Sequence, residues 1–206
     1  WVRIVAFAAY AFPDSPAQSF ASLVYFAAWF KHHYPAEFCV ALLRAQPMGF
    51  YSPQSLVADA RRHGVGCDGP DVNVSGVEAD CPGGRIRLGL GSVAGLGDDA
   101  ARRIVDARDG CGAEADEAGL FRGGPFRDVA DLARRASLDV SHVEALARAG
   151  ALECLGMDRR QALWAAGIAA TEHEGMLPGL TVASAPALPG MTEFELAAAD
   201  LAGTGV

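Results

Sequence analysis

Residues 86–108 read IRLGLGSVAGLGDDAARRIVDAR, and this stretch predicts two short helices joined by the tight hairpin Gly95-Leu96-Gly97. Glycine adopts positive φ angles and permits the close backbone approach that such a turn requires. In the second helix, Ala101, Ile104 and Val105 recur at helical spacing. We therefore expect these apolar side chains to face the first helix.

The hairpin presents backbone N–H groups that can donate hydrogen bonds to an anion. The first N–H groups of a helix lack intrahelical partners, and the helix dipole favours negative charge at that end. This is the pattern of a helix-hairpin-helix motif, and it points to DNA phosphate as the ligand. The candidate DNA-binding residues are Gly95, Leu96, Gly97, Arg102 and Arg103.

The same residues have a plainer interpretation, in which the two glycines only end one helix and begin the next, with no ligand. Asp98 and Asp99 follow the hairpin directly. Carboxylates in the first turn stabilise the helix dipole, yet they repel a phosphate offered to the same amides. Arg61-Arg62 and Arg134-Arg135 are further candidates for phosphate contacts, or surface residues that favour solubility.

Composition bounds the class of protein. The chain has 206 residues, of which 51% are hydrophobic, so it can form a real core. Its net charge of −8 argues against a simple nucleic-acid clamp, although the acidic residues lie mainly in the connecting segments and the C-terminal tail. Five scattered cysteines without a Cys-x-x-Cys pair predict neither a disulfide framework nor a zinc site, and they fit a reducing cytoplasm. The longest apolar stretch, 20–30, is too short for a membrane anchor.

Helical spacing dominates the chain, which predicts a mainly α fold with a small β element. We divide it into a helical segment at 1–64, a turn-rich joint at 65–88, tandem helical hairpins at 89–170, and a linker with a short helix at 171–206. The short strands of the joint are predicted at 72–74 and 86–88. We expect the apolar faces of 1–64 to exceed what three short helices can bury among themselves.

Proline and capping residues place the helix ends. Helices are predicted at 16–30, from Pro35 onwards, and from Pro53 to Gly64 with Ser52 as the N-cap. The second hairpin is predicted from the apolar residues at 126–133 and 140–147, and another helix at 159–169. A capping box, Thr192-Glu193-Phe194-Glu195, begins the last helix.

The chain shows no constellation that carries catalysis or metal binding. Pro35 lies between His33 and Glu37 and breaks the helical geometry that would bring them together, and His173 lies in the linker. No Ser, Cys and His pattern forms a nucleophile motif. We therefore predict no catalytic and no metal-ligating residue in this chain.

Several separate motifs resemble one family. Residues 9–25, AYAFPDSPAQSFASLVY, and 34–38, YPAEF, resemble the late fingers region of bacterial C-family replicative polymerases, the DNA polymerase III alpha subunits. Residues 45–51 (AQPMGFY), 59–65 (DARRHGV) and 71–73 (DVN) resemble the error-prone, damage-inducible branch of that family. The resemblance covers some four fifths of the chain and includes the hairpin at 95–97 and Gly150-Ala151-Leu152. Members usually carry Gly where Ala11 stands and His where Pro16 stands.

The resemblance implies a segment holding the end of the fingers and a tandem helix-hairpin-helix region, followed by a downstream domain outside the chain. It also implies that the catalytic carboxylates lie upstream, in the palm, with Mg²⁺ as the cofactor of the full-length polymerase. The implied function is DNA-directed synthesis in damage tolerance (translesion synthesis) and repair. The implied partners are a primer-template duplex and a sliding clamp or accessory mutagenesis proteins. The alternative is a non-catalytic helical module that binds another protein.

Overall fold

The computed structural model describes residues 14–110, 123–169 and 188–206, and it confirms a mainly α fold with a small β element. Ala11 and His173, singled out from the sequence, lie outside the described residues. The helices are α1 (Asp14–His33), α2 (Pro35–Arg44), α3 (Pro53–Arg62), α4 (Asp98–Asp109), α5 (Val129–Arg135), α6 (Val140–Arg148), α7 (Arg159–Ala169) and α8 (Glu193–Thr204).

The predicted starts of three helices are confirmed by a cap or a proline, whereas the helix predicted at 16–30 runs from Asp14 to His33. The Ser52 hydroxyl accepts a hydrogen bond from the Ser55 N–H, and Pro53 occupies the first turn of α3. Helix α2 begins at Pro35, and the capping box of Thr192 and Glu195 begins α8. These interactions lie within three residues along the chain, so the sequence alone could specify them.

The β element differs from its prediction. Strand β1 (Cys67–Asp68) pairs in parallel with β2 (Ile86–Arg87), so only the second of the two predicted strands exists. Residues 72–74 form a turn instead, in which the Asp71 carboxylate accepts a hydrogen bond from the Asn73 N–H (2.7 Å). This local bond replaces a strand ladder, as Asp and Asn side chains often do.

The helix predicted before the hairpin is also different, because it is reduced to one 3₁₀ turn, Leu90–Ser92. The N–H groups of Leu90 and Gly91 donate to the carbonyls of Gly76 (2.9 Å) and Val77 (2.8 Å), rather than to a preceding helical turn. Gly89 permits this approach, since any Cβ there would collide with the backbone of Glu78. The prediction was wrong here because its reason is a contact distant in sequence.

Two hydrophobic clusters organise the described residues. The first joins the hairpins, with Leu90, Ile104, Leu132, Leu146 and Leu152 fully buried. The second joins α2 and α3 to the β element, with Val57 and Ile86 at its centre. The apolar face of α4 enters the first cluster as predicted, since Ala101 and Ile104 are fully buried and Val105 packs against it.

Helix α1 packs little of its apolar surface, which includes Phe20 and Val24. Each of these two side chains is 66% exposed. Other large apolar side chains on the same helix are exposed as well: Leu23, Tyr25, Phe26, Trp29 and Phe30. None of these side chains belongs to either hydrophobic cluster.

Candidate nucleic-acid interface

The hairpin turn has the backbone conformation that its glycines predict. Gly95 has φ +84° and Gly97 has φ +76°, both in the region that only glycine adopts readily. Between them, the Leu96 side chain is 3% exposed and belongs to the first hydrophobic cluster. Of the candidate residues at the turn, Leu96 therefore anchors the hairpin through its side chain and can offer a ligand only its backbone.

Helix α4 begins at this turn with Gly97 as its N-cap, and no side chain among the described residues caps it. The Gly97 carbonyl accepts the first helical hydrogen bond, from the Ala101 N–H (3.1 Å). The amides of the first turn therefore point away from the helix without an intrahelical acceptor. Such amides, together with the dipole of a 12-residue helix, can bind an anion.

Charged side chains surround these amides. Asp98 and Asp99 lie in the first turn and are exposed, and Arg102 pairs with both, at 3.8 Å and 3.2 Å. Exposed pairs of this kind are weak. The Arg102 guanidinium is therefore free to exchange a carboxylate for a phosphate beside the turn.

Arg103 has a different environment from its neighbour. Its Nε donates to the Ala136 carbonyl (3.0 Å) and its Nη2 to the Ser137 carbonyl (3.4 Å), at the turn of the second hairpin. The structure thus uses Arg103 to join the two hairpins. Spacing along the chain does not indicate these acceptors, which lie 33 and 34 residues after Arg103.

The second hairpin consists of α5, a turn at Ala136-Ser137-Leu138, and α6. Its second helix begins at Asp139, whose carboxylate accepts hydrogen bonds from the His142 N–H (2.9 Å) and the Ser141 hydroxyl (2.7 Å). The His142 N–H, followed by the Ser141 hydroxyl, holds the pKa of Asp139 below its usual range. A carboxylate thus already occupies the anion position at the start of α6.

A buried carboxylate holds α5 in place. Asp131 is 4% exposed and pairs with Arg134 (3.1 Å) and Arg135 (3.3 Å). Burial alone would raise the pKa of Asp131, but the Arg127 N–H and the arginine charges outweigh burial and lower it. Arg134 and Arg135, which the sequence offered as phosphate contacts, therefore face the protein interior.

Three residues, Arg135, Asn73 and Arg108, connect the hairpins to one another and to the joint. Arg135 donates to the carbonyls of Ala107 (2.7 Å) and Gly124 (2.9 Å), and its guanidinium lies over the Phe126 ring. The Asn73 side chain exchanges two hydrogen bonds with the Phe126 backbone. Arg108 donates to the carbonyls of Val72 and Ser75.

Two of the described cysteines, Cys39 and Cys154, have thiols that resist ionisation. Burial raises the pKa of Cys39 to about 11, and burial with a hydrogen bond to Asp71 raises the pKa of Cys154 to about 11. A thiol with so high a pKa is a poor nucleophile at neutral pH.

Within the described ranges, no group of three His, Cys, Asp or Glu side chains could hold a metal ion. None of the helices described at 14–110, 123–169 and 188–206 has the length and apolarity to span a bilayer.

The fold and the turn define a helix-hairpin-helix protein, and comparison with known proteins agrees. The family described as "Helix-hairpin-helix motif" matches residues 64–162. The whole chain is 65% identical over 206 residues to an error-prone DNA polymerase of Corynebacterium glutamicum and 62% identical to one of Corynebacterium efficiens. A Mycobacterium tuberculosis error-prone DNA polymerase is 56% identical over 207 residues, which cover 99% of this chain.

Over its whole length, the chain is similar in sequence to one segment of these error-prone DNA polymerases. It spans 18% of the length of each of these three relatives.

Proposed function

We propose that this chain is the segment of an error-prone, DNA-directed DNA polymerase that holds duplex DNA through its phosphates. The observation that carries the proposal is the start of α4, where Gly97 leaves the first-turn amides without a side-chain cap among the described residues. Amides in this arrangement bind phosphate oxygens, and such contacts position a duplex without reading its sequence.

The chemistry of the proposed contact follows from the residues at the turn. The amides at 97–99 donate to a phosphate oxygen, and Arg102 adds a positive charge that is 59% exposed. Asp98 and Asp99 oppose the same phosphate and limit the affinity. Leu96 and Arg103 support the contact by fixing the turn to the core and to the second hairpin.

The activity of the complete protein is also a proposal. It rests on the names of the relatives and on sequence identities of 56–65%. We infer that the complete protein synthesises DNA past damage and needs Mg²⁺, and we assign neither a catalytic residue nor a metal ligand to this chain. A sliding clamp or accessory proteins remain expected partners, with no surface of this chain assigned to them. We propose a cytoplasmic location, which the free Cys39, Cys67, Cys81 and Cys154 support.

Fluorescence anisotropy with two labelled duplexes of unrelated sequence tests the proposed function. We expect equal affinity for both duplexes and a linear fall of log K with log salt concentration, since phosphate contacts release counterions. Binding that is independent of salt, or strong preference for one duplex, would contradict the proposal.

The exposed apolar face of α1 favours the second candidate, a protein-binding module. That candidate predicts no binding to either duplex.

Two adjacent arginines provide a matched pair of variants. Arg102→Gln and Arg103→Gln remove the same charge, one residue apart. We expect Arg102→Gln to reduce the salt slope by about 0.9, the value for one phosphate contact. Arg103→Gln removes two hydrogen bonds to the second hairpin, so it lowers the melting temperature more than Arg102→Gln does. Equal effects of the two variants on both measurements would exclude the role given to Arg102.

A further inference from the structure

Helix α8 lies in the segment that the sequence indicates as a linker, yet it is docked on the hairpins. Its buried Gly203 approaches Ala149, the residue that follows α6. A Cβ on Gly203 would lie 2.9 Å from the Cα of Ala149, closer than Cβ atoms pack in real structures. This glycine is therefore a packing requirement of the contact between α8 and α6.

The same glycine reaches the first hairpin. The Ala94 N–H, one residue before Gly95, donates to the Gly203 carbonyl (2.8 Å). Ala94 lies in the turn. Within the same turn, the Leu96 N–H donates to the Val93 carbonyl (3.2 Å). The end of α8 thus supplies an acceptor to the turn that presents the candidate phosphate site.

Polar contacts from α7 hold α8 along its length. Arg159 pairs with Asp200 and donates to the Leu196 carbonyl (3.4 Å), and its side chain is 10% exposed. Arg160 pairs with Glu195 (2.9 Å). Beyond the helix, Val206 packs against the second hydrophobic cluster, that of α2 and α3. The segment 193–206 therefore contacts both clusters and the hairpin turn.

We infer that α8 is a positioning element for the phosphate-binding hairpin, with Gly203 as its positioning residue. This inference rests on the proposed function for its DNA-binding consequence. By accepting the Ala94 N–H and packing on Ala149, Gly203 keeps the turn in the conformation that presents its amides. Pre-organisation of this kind raises affinity because less ordering is required on binding.

The test compares Gly203→Val with Gly167→Val in the complete 206-residue chain. Gly167 is a matched control, since it also lies in a helix, α7, but has open space around it. We expect Gly203→Val to speed amide exchange at Ala94 by at least about tenfold, because the local bond is lost. We also expect about tenfold weaker duplex binding and a shallower salt slope, whereas Gly167→Val changes neither.

A second variant keeps the test decisive if Gly203→Val does not fold. Asp200→Arg places a positive charge against Arg159 and undocks α8, while Glu193→Arg makes the same change in net charge on an exposed position of the same helix. Asp200→Arg is expected to bind duplex more weakly than Glu193→Arg and to show faster exchange at Ala94.

The outcomes separate the inference from the proposed function. If exchange at Ala94 and duplex affinity are unchanged in both variants, α8 does not position the hairpin. If undocking α8 strengthens binding, the helix covers the site and the inference is wrong. If the unmodified chain binds no duplex, the proposed function fails, and exchange at Ala94 alone still decides whether α8 fixes the turn.

Discussion

The two hairpins begin their second helices with opposite chemistry. In the first, α4 starts at Gly97, and no described side chain caps its amides. In the second, α6 starts at Asp139, whose carboxylate accepts the His142 N–H and is itself bonded by Ser141. One scaffold is thus used twice, once with an end open to an external anion and once with an end closed by its own carboxylate.

The comparison assigns a different task to each hairpin. The first offers the surface that we propose for phosphate, while the second supplies acceptors for Arg103 and the buried Asp131 network. A carboxylate already seated at the start of α6 would repel a phosphate there. The second hairpin therefore acts as the support on which the first is held.

Loss of the Asp131 carboxylate is expected to have the largest effect. Asp131→Asn leaves Arg134 and Arg135 facing the interior without their counter-charge, and breaking a buried pair typically costs about 3 kcal/mol. Urea denaturation would measure the loss in the free energy of unfolding. Asp106→Asn, at an exposed position of α4, is the control, and a similar small change in both variants would show that the network does not support the hairpin.

The same carboxylate predicts a pH dependence. The pKa of Asp131 is lower in the folded chain than in the unfolded chain, so its contribution is present above the unfolded value of about 3.9 and is lost as pH falls through the folded value. We expect the stability difference between the unmodified chain and Asp131→Asn to shrink below about pH 4. A difference that stays constant between neutral and strongly acidic pH would contradict this assignment.

Removing the Asp139 cap from the start of α6 tests the contrast between the two hairpins. Asp139→Ala removes the N-cap of α6 and is expected to lower the free energy of unfolding by about 1 kcal/mol. Duplex affinity remains within about twofold, since the remaining turn lacks the glycine pair of the first hairpin. A clear gain in affinity on removing this cap would mean that the second hairpin is a masked phosphate site.

Removing the charges at the open end is expected to have the smallest effect. Asp98→Ser with Asp99→Ser removes repulsion near the proposed phosphate and frees Arg102, so binding at low salt strengthens about threefold. The gain shrinks as salt shortens the Debye length below about 10 Å. Asp106→Ser with Glu193→Ser changes net charge equally at exposed positions, and an equal gain there would indicate a general charge effect.

The sequence predicted the helix ends and the turn that local interactions determine. Ser52, Pro35 and the Thr192 capping box specify helix ends within a few residues, and the glycine pair specifies the turn. The 3₁₀ turn at Leu90–Ser92 escaped prediction because its amides bond to a loop more than ten residues earlier in the chain.

The candidate site likewise combines features that local sequence predicts with contacts that it does not predict. The turn and Arg102 follow from spacing, whereas the bonds of Arg103 and the docking of Gly203 join residues far apart in sequence. Spacing along a helix cannot distinguish a guanidinium that faces solvent from one that meets a carbonyl of another helix. The positive φ of Ser137 in the second turn likewise had no sequence indication.

Duplex binding by Gly97→Val, compared with Gly156→Val, decides whether the hairpin amides contact DNA. Both glycines have a positive φ, +76° and +79°, and open space around them, but only Gly97 begins α4. We expect Gly97→Val to weaken binding about tenfold or more for two unrelated duplexes, since hydrogen bonds to charged groups contribute about 1.5–3 kcal/mol. Gly156→Val leaves affinity unchanged. If Gly97→Val stays folded and binds as tightly as the unmodified chain, the hairpin is a packing turn and does not contact DNA.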